Sequence, residues 1–215
     1  MIRGRFIAFE GGEGTGKSTQ ARLLDEALRA RGVPTVLTRE PGGTAGAEAI
    51  RGLLLHPPGE GWNAQAEALL FAAARADHVA RLIRPALEQG KWVICDRFVD
   101  SSRAYQGAAG SLGDDKVRAL HAIGSEELLP DVTVLIVADE RIVDQRLRAR
   151  DGEISDAIGG REPAYHRSVA SAFEGFASEE ATRFMRVDGT GSVQDVHAKV
   201  LSALSPLLEE AARQC

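Results

Sequence analysis

Cysteine is nearly missing from this chain of 215 residues, which holds only two, Cys95 and Cys215. With one thiol in an expected buried strand and the other at residue 215, no disulfide framework is expected, which points to a reducing compartment. No apolar run approaches the roughly 18 residues a membrane-spanning helix needs, and no charged-then-apolar leader opens the sequence. Together these absences predict a cytoplasmic protein without a membrane partner. Lysine is scarce as well: Lys17, Lys91, Lys116 and Lys199 are the only four among 26 basic residues. The rest are arginines, the side chain suited to bidentate grip on phosphate. A net charge of −5 argues against a general nucleic-acid-binding surface. His78, His121 and His166 show no metal-ligand spacing and read as structural or surface residues.

What is present is a complete G-x-x-x-x-G-K-[ST] stretch, Gly11-Gly12-Glu13-Gly14-Thr15-Gly16-Lys17-Ser18. An apolar run, residues 5–10, precedes it, and a helical pattern from residue 16 follows. That strand-to-helix context is what a phosphate-binding loop requires. The glycines permit φ > 0, so backbone N–H groups turn inward around phosphate oxygens, and the helix N-terminus adds about half a positive charge. Lys17 is expected to reach β- and γ-phosphates and Ser18 to ligate Mg²⁺.

Short apolar runs alternate with longer helical patterns, which predicts βαβ units on a parallel sheet. Strands are expected near 5–10, 34–38, 91–96, 132–138 and 184–188. Helices are expected over 16–31, 45–55, 65–89, 114–128, 139–149, 161–179 and 193–212. Pro85 should kink the 65–89 helix, with Gly90 as its C-cap. The glycines and acids of 150–160 suggest a mobile lid on a single domain spanning 1–215.

Three further constellations face the expected crevice at the strands' carboxyl ends. Asp96-Arg97 closes the third strand, where Asp96 can hold Mg²⁺ beside Ser18 and Arg97 can face the transferred phosphoryl group. The alternative is an N-cap Asp with an exposed Arg. Ser102, Arg103, Tyr105 and Gln106 follow, offering an aromatic face and an amide to a sugar and base, or forming an ordinary capped helix. Thr38-Arg-Glu40-Pro-Gly-Gly-Thr44 makes a turn at the second strand's end. Arg51 lies beyond it, and Phe71 and Arg75 share one helix face at i, i+4. They read as base stacker and phosphate grip, or as a core Phe and a surface Arg.

The motifs at 9–19, 38–44 and 96–107 (Asp-Arg-Phe-Val-Asp-Ser-Ser-Arg-Ala-Tyr-Gln-Gly) resemble those of bacterial thymidylate kinases, with weaker agreement from residue 5 to about 205. The resemblance implies a P-loop NTPase fold with a five-stranded parallel sheet flanked by helices, a homodimer, and transfer of the ATP γ-phosphate to dTMP with Mg²⁺. It implies that the loop from Gly11 through Thr19 binds ATP, with Thr190 on the adenine side. Glu13 would lie near the dTMP sugar and metal and Phe71 would stack on thymine. Arg51, Arg75 and Arg97 would hold the acceptor phosphate, with Glu40 and Ser102 in the same site. Gln106 would lie near the base, and Tyr105 would pack where a ribose 2′-hydroxyl would clash. The catalytic set is then Lys17, Arg97 and Glu13. One departure stands out. Relatives whose phosphate loop lacks a basic residue carry Asp-Arg-x-Glu in the lid, and here Asp156-Ala157-Ile158-Gly159 falls there. Arg148, Arg150 and Arg161 are the candidates to replace that arginine. Val137 stands where relatives often carry an acid. A related nucleotide or deoxynucleoside kinase and a catalytically weakened relative are the competing readings. A GTPase switch is disfavoured by the absence of an Asn-Lys-x-Asp guanine reader.

Overall fold

A computed structural model describes residues 3–151 and 159–212, without the side chains of 148–151 and 211–212. Five strands, β1 (Phe6–Glu10), β2 (Thr35–Arg39), β3 (Trp92–Asp96), β4 (Val132–Val137) and β5 (Phe184–Asp188), form one sheet in the order β2-β3-β1-β4-β5. Every pairing is parallel. β1 lies between β3 and β4 and all five of its residues are buried. A strand covered on both faces must be apolar throughout, which is why Phe6-Ile-Ala-Phe shows no polar alternation.

Successive side chains leave a strand on opposite faces, and the core divides accordingly. Ile7, Phe9, Val134 and Ile136 pack under α1 (Lys17–Ala30) and α9 (Val193–Ala203), meeting Leu24, Leu28, Val196 and Val200. Phe6, Ala8, Val93 and Cys95 face the other way, onto Val79, Ile83, Leu87 and Phe98. Leu135 joins a third cluster with Tyr105 and with Val169 and Phe173 of α8 (Pro163–Glu179). Each fully buried side chain of this size contributes about 1.5–3 kcal/mol.

Two helices, α2 (Ala45–Leu55) and α3 (Ala64–His78), start on side-chain caps, Thr44 and Asn63 accepting from the Ala47 and Ala66 N–H groups. The expected 65–89 helix changes pitch before its proline. α3 passes into a π-helical turn, Val79–Ile83, and then α4 (Arg84–Glu88). Arg84 N–H bonds to Val79 O, five residues back. The wider turn gives room where the Pro85 ring would strike an α-helical carbonyl. Gly90 (φ 75°) ends α4 in a Schellman motif, with Lys91 N–H on Ala86 O and Gly90 N–H on Leu87 O, both at 3.0 Å. Residues 99–109 are helical: α5 (Val99–Ser102) continues into a π-helical stretch, Arg103–Ala109. α6 (Asp114–Ser125) stops early at left-handed Glu126 and Glu127, α7 (Glu140–Asp151) carries the chain toward residue 152, and the expected 193–212 helix divides into α9 and α10 (Ser205–Ala212). Pro206 explains the division, since it has no N–H to continue the ladder.

The register sets Phe9 beside Asp96. The phosphate loop after β1 and the Asp96-Arg97 pair after β3 therefore emerge side by side at the sheet's carboxyl edge.

Candidate active site

The phosphate loop is built around three glycines in left-handed or extended positive-φ backbone, Gly11 (137°), Gly14 (68°) and Gly16 (100°). A Cβ on Gly11 would run into the Ile136 carbonyl. The loop bonds to itself: Thr15 Oγ1 donates to Gly12 O at 3.1 Å and Lys17 Nζ to the same oxygen at 2.5 Å. No side chain caps α1, so its first N–H groups stay available to an anion. Lys17 is buried, and burial, then the charge of Arg97, pull its pKa down to about 8 against Glu13, Asp96 and Glu10.

Ser18 Oγ donates to Asp96 Oδ2. Asp96 Oδ1 is buried and has no hydrogen-bond partner among the described residues. A hydroxyl and an orphaned carboxylate oxygen are the hard donors Mg²⁺ accepts, its other positions going to phosphate and water. Among the described residues no group of three or more His, Cys, Asp or Glu side chains is arranged for a metal, so a cation here would rest on these two.

Arg97 holds a left-handed backbone, φ 69°, uncommon outside glycine. Its N–H donates to Phe9 O at 2.9 Å. Nη1 donates to Gly11 O (3.2 Å) and Ser101 Oγ (3.0 Å), and Nη2 to Glu13 Oε1 (2.5 Å) and the Tyr105 hydroxyl (3.2 Å). The guanidinium lies 5.0 Å from the Tyr105 ring centroid. Burial opposes its charge, but Tyr105 and the carboxylates of Glu13, Asp96 and Glu10 outweigh burial and keep it a cation. Burial pushes the Tyr105 phenol up to about 12, so it is neutral at physiological pH.

Glu10, at the end of β1, was not among the residues expected from sequence. Fully buried, it accepts from Phe98 N–H (2.8 Å), Ser101 N–H (3.1 Å) and Ser101 Oγ (2.6 Å). Burial, then the nearby Asp100 carboxylate, raise its pKa to about 7 against the Ser101 hydrogen bond and Arg97.

A cleft of about 460 Å³ opens on one side of this junction, lined by Glu40, Arg51, Phe71, Arg75, Ser102, Tyr105 and Gln106 among others. Arg51 Nη1 donates to Pro41 O at 2.8 Å. Arg75 is not the surface residue its position also allowed. It is 3% exposed, with Nε on Glu40 Oε2 (2.7 Å) and Nη2 on Ser102 Oγ (2.9 Å). Glu40 Oε1 meets His78 Nδ1 at 3.0 Å, and His78 Nε2 meets Thr38 Oγ1 at 2.8 Å, so His78 is a buried structural link. Burial acts against the Glu40 carboxylate, but Arg75 and His78 more than offset it and lower its pKa. Phe71, one helical turn from Arg75, lines the same cleft, and Gln106 Nε2 donates to Glu67 Oε1 at 2.9 Å.

A second cleft, about 300 Å³, lies over the phosphate loop and is lined by Gly14, Gly16, Lys17, Thr19, Arg146 and Leu147. Glu13, Ser18, Asp96 and Arg97 line both clefts. Arg146, another residue missed from sequence, bonds to Thr15 O (3.1 Å) and Gly189 O (3.0 Å). Thr190, next to Gly189, is exposed and lines neither cleft. Of the lid candidates, the Arg148 and Arg150 side chains lie outside the described residues, as do Asp156, Ala157 and Ile158. Arg161 also lines neither cleft. It pairs with Glu67 and donates to the Tyr165 hydroxyl, on the Gln106 side rather than over the phosphate loop. Glu67 sits four residues before Phe71, a spacing that puts it on the Phe71–Arg75 face and was the available signal for it.

No helix among the described residues is long and apolar enough to cross a membrane. The thymidylate kinase family model matches residues 9–200. A thymidylate kinase of Rhizorhabdus wittichii is 56% identical over 207 residues, covering 95% of this chain and 99% of that protein. One from Bradyrhizobium diazoefficiens is 45% identical, covering 94% of this chain and 89% of the relative. The crystal structure of thymidylate kinase from Ehrlichia chaffeensis superposes with a TM-score of 0.77 at 31% identity, covering 94% of this chain and 99% of that one. The chain belongs to the thymidylate kinase family, enzymes that phosphorylate dTMP.

Proposed function

We propose that this enzyme transfers the γ-phosphoryl group of ATP to the phosphate of dTMP with Mg²⁺, giving dTDP and ADP, in one domain spanning 1–215. The observation that carries this reading is the shared wall. Two clefts, one over a phosphate loop and one lined by Phe71, Arg51 and Arg75, meet at Glu13, Ser18, Asp96 and Arg97.

Lys17 and the uncapped N–H groups of α1 hold the donor phosphates, and Arg146 closes the nucleotide side of the loop. Arg51, Arg75 and Arg97 hold the acceptor phosphate, Phe71 stacks on the base, and Tyr105 packs on the sugar. An acceptor oxygen attacks the γ-phosphorus in line as the bond to the bridging oxygen breaks, its electron pair leaving with ADP. A phosphate dianion needs no general base, so positioning and charge neutralisation suffice. Ser18 and Asp96 would hold Mg²⁺, which supplies positive charge at the transferred group.

The reading includes a homodimer and a cytoplasmic setting. Leu53, Leu69 and Ile123 are 44%, 56% and 83% exposed on α2, α3 and α6, and these helices pack side by side, which supports an interface between copies. Cys95 is a free buried thiol, as a reducing compartment favours. Steady-state assays with ATP and Mg²⁺ should show turnover of dTMP well above dCMP, AMP and thymidine. Thymidine turnover equal to that of dTMP would refute the arginine anchors, and preference for another monophosphate would refute the base site.

A further inference from the structure

The base end of the acceptor cleft holds an amide whose orientation is fixed from behind. Gln106 is 3% exposed and lines the cleft. Its Nε2 donates to Glu67 Oε1 at 2.9 Å. Glu67 does not line the cleft, and its other oxygen, Oε2, is paired with Arg161. Arg161 in turn donates to the Tyr165 hydroxyl and lies 4.6 Å from that ring's centroid, while Tyr165 donates to Tyr105 O at 2.7 Å. Each link ties the reader to the wall it reads from.

An amide has a donor end and an acceptor end, and nothing in its shape decides which one faces a ligand. Here chemistry decides. Ion-paired with Arg161, Glu67 is a carboxylate, and a carboxylate only accepts. Gln106 must therefore turn its NH₂ toward Glu67, and Oε1 is left for the cleft. Oε1 has no hydrogen-bond partner among the described residues, yet it is not among their buried unpartnered atoms. It is an acceptor awaiting a donor.

We propose that Glu67, held by Arg161, is a specificity-positioning residue: it locks Gln106 with its carbonyl oxygen toward the substrate, so that the cleft selects a base whose pairing edge offers an imide N–H. Thymine and uracil offer that donor. Cytosine puts a lone pair at the same ring position, and two acceptors face to face leave both unpaired. A buried acceptor left unsatisfied costs about 1–3 kcal/mol, or roughly 5- to 150-fold in binding. The inference rests on dTMP being the acceptor and accounts for part of its selection. It also gives Arg161 a task distinct from replacing a phosphate-side arginine.

The test reverses the device. In the double variant Glu67→Lys/Arg161→Glu the ion pair is rebuilt with the donor on the other side, so Gln106 must turn its oxygen away from the cleft and its NH₂ toward it. The ratio of kcat/KM for dTMP over dCMP should fall at least tenfold, with KM for ATP unchanged. Glu67→Met, which keeps an unbranched side chain but frees the amide, should lower the ratio as well, and Glu67→Gln, able to accept through its own carbonyl, should hold it within about threefold. An unchanged ratio in either folded variant, the charge swap or Glu67→Met, would overturn the proposal. So would a collapse in Glu67→Gln equal to that in Glu67→Met. Calorimetric Kd values for dTMP and dCMP read the same ratio without turnover. Failure of the unaltered enzyme to phosphorylate dTMP would thus count against the proposed reaction, and not against the base contact.

Discussion

Replacing Glu10 with glutamine should make the protein more stable and the enzyme slower. The carboxylate is fully buried, and burial together with Asp100 raises its pKa from 4.5 to about 7. An acid whose pKa rises on folding keeps its proton in the native state while the unfolded chain loses it. Between pH 4.5 and 7 the native state therefore binds more protons, and stability falls as pH rises through that window. Each pKa unit is worth 1.36 kcal/mol, so above pH 7 the folded protein carries a penalty of about 3 kcal/mol. Against a typical total of about 5–15 kcal/mol this is large. Glutamine has nearly the shape of the protonated acid and removes the penalty. Urea unfolding of both proteins at several pH values isolates the effect, since every other titrating group cancels in the difference. The stability gap should be near zero at pH 4, open from about pH 4.5, and level off above pH 7 at about 3 kcal/mol in favour of Glu10→Gln, with equal m-values. Turnover should fall above pH 7, because a neutral amide holds the Ser101 hydroxyl less tightly than the carboxylate does, and Ser101 is one of the groups that position Arg97. A variant less stable than the parent at pH 8, or a gap that does not change with pH, would refute the reasoning.

Arg97→Ala should cost about 10³-fold or more in kcat while leaving the thermal unfolding midpoint within a few degrees, because the lost group acts on transferring charge; a near-normal rate would remove Arg97 from the mechanism. Removing Arg97 also removes a charge that lowers the Glu10 pKa. The stabilisation by Glu10→Gln at pH 8 should therefore be larger in the Arg97→Ala background, and a smaller one would contradict the coupling. Tyr105→Ala should narrow the kcat/KM preference for dTMP over its ribonucleotide counterpart, and unchanged selectivity would sink the steric argument. Arg146→Ala should raise KM for ATP about tenfold and leave KM for dTMP unchanged, as expected for loss of charge-assisted contacts; a shift in the dTMP value would place Arg146 in the wrong cleft.

Strand positions were legible to within a residue or two, because buried parallel strands are continuous apolar runs and the glycines around them mark the turns. The phosphate loop and Asp96-Arg97 were legible because their chemistry depends on adjacent residues. What failed to show was decided by distance in space. Glu10 reads as the polar end of an apolar strand until Phe98 and Ser101 are seen to turn back onto it. Arg146 is one of several arginines along 141–150, and only the rotation of α7 against the phosphate loop sets it apart. Arg161 was sought near phosphate because it lies beside Gly159-Gly160 in the expected lid, where relatives carry an arginine. Its partner Glu67 precedes it by 94 residues. Helix 65–89 was readable as a pattern, but the π-helical turn before Pro85 was not, since a proline can be relieved by a kink, a break or a wider turn.

The costs in this molecule converge on one place. Arg97 adopts a left-handed backbone that disfavours any side chain, a burden on the order of 1–3 kcal/mol. Two residues after Phe9 has accepted the Arg97 N–H, the chain reaches Gly11, whose carbonyl takes Arg97 Nη1. Glu10, between them, is the acid held buried at a penalty of similar size, and it grips Phe98 and Ser101 on either side of the turn that follows Arg97. Ser101 then returns a hydroxyl to the same guanidinium. The strained backbone and the buried carboxylate are two parts of one frame. That frame fixes a cation at the boundary of both clefts before any phosphate arrives, so little reorganisation is left for the moment of transfer. A more stable sequence is easily written here: glycine at 97 would leave phosphate facing a site without its charge, and glutamine at 10 would weaken the hold on Ser101, one of the groups that keep Arg97 in place.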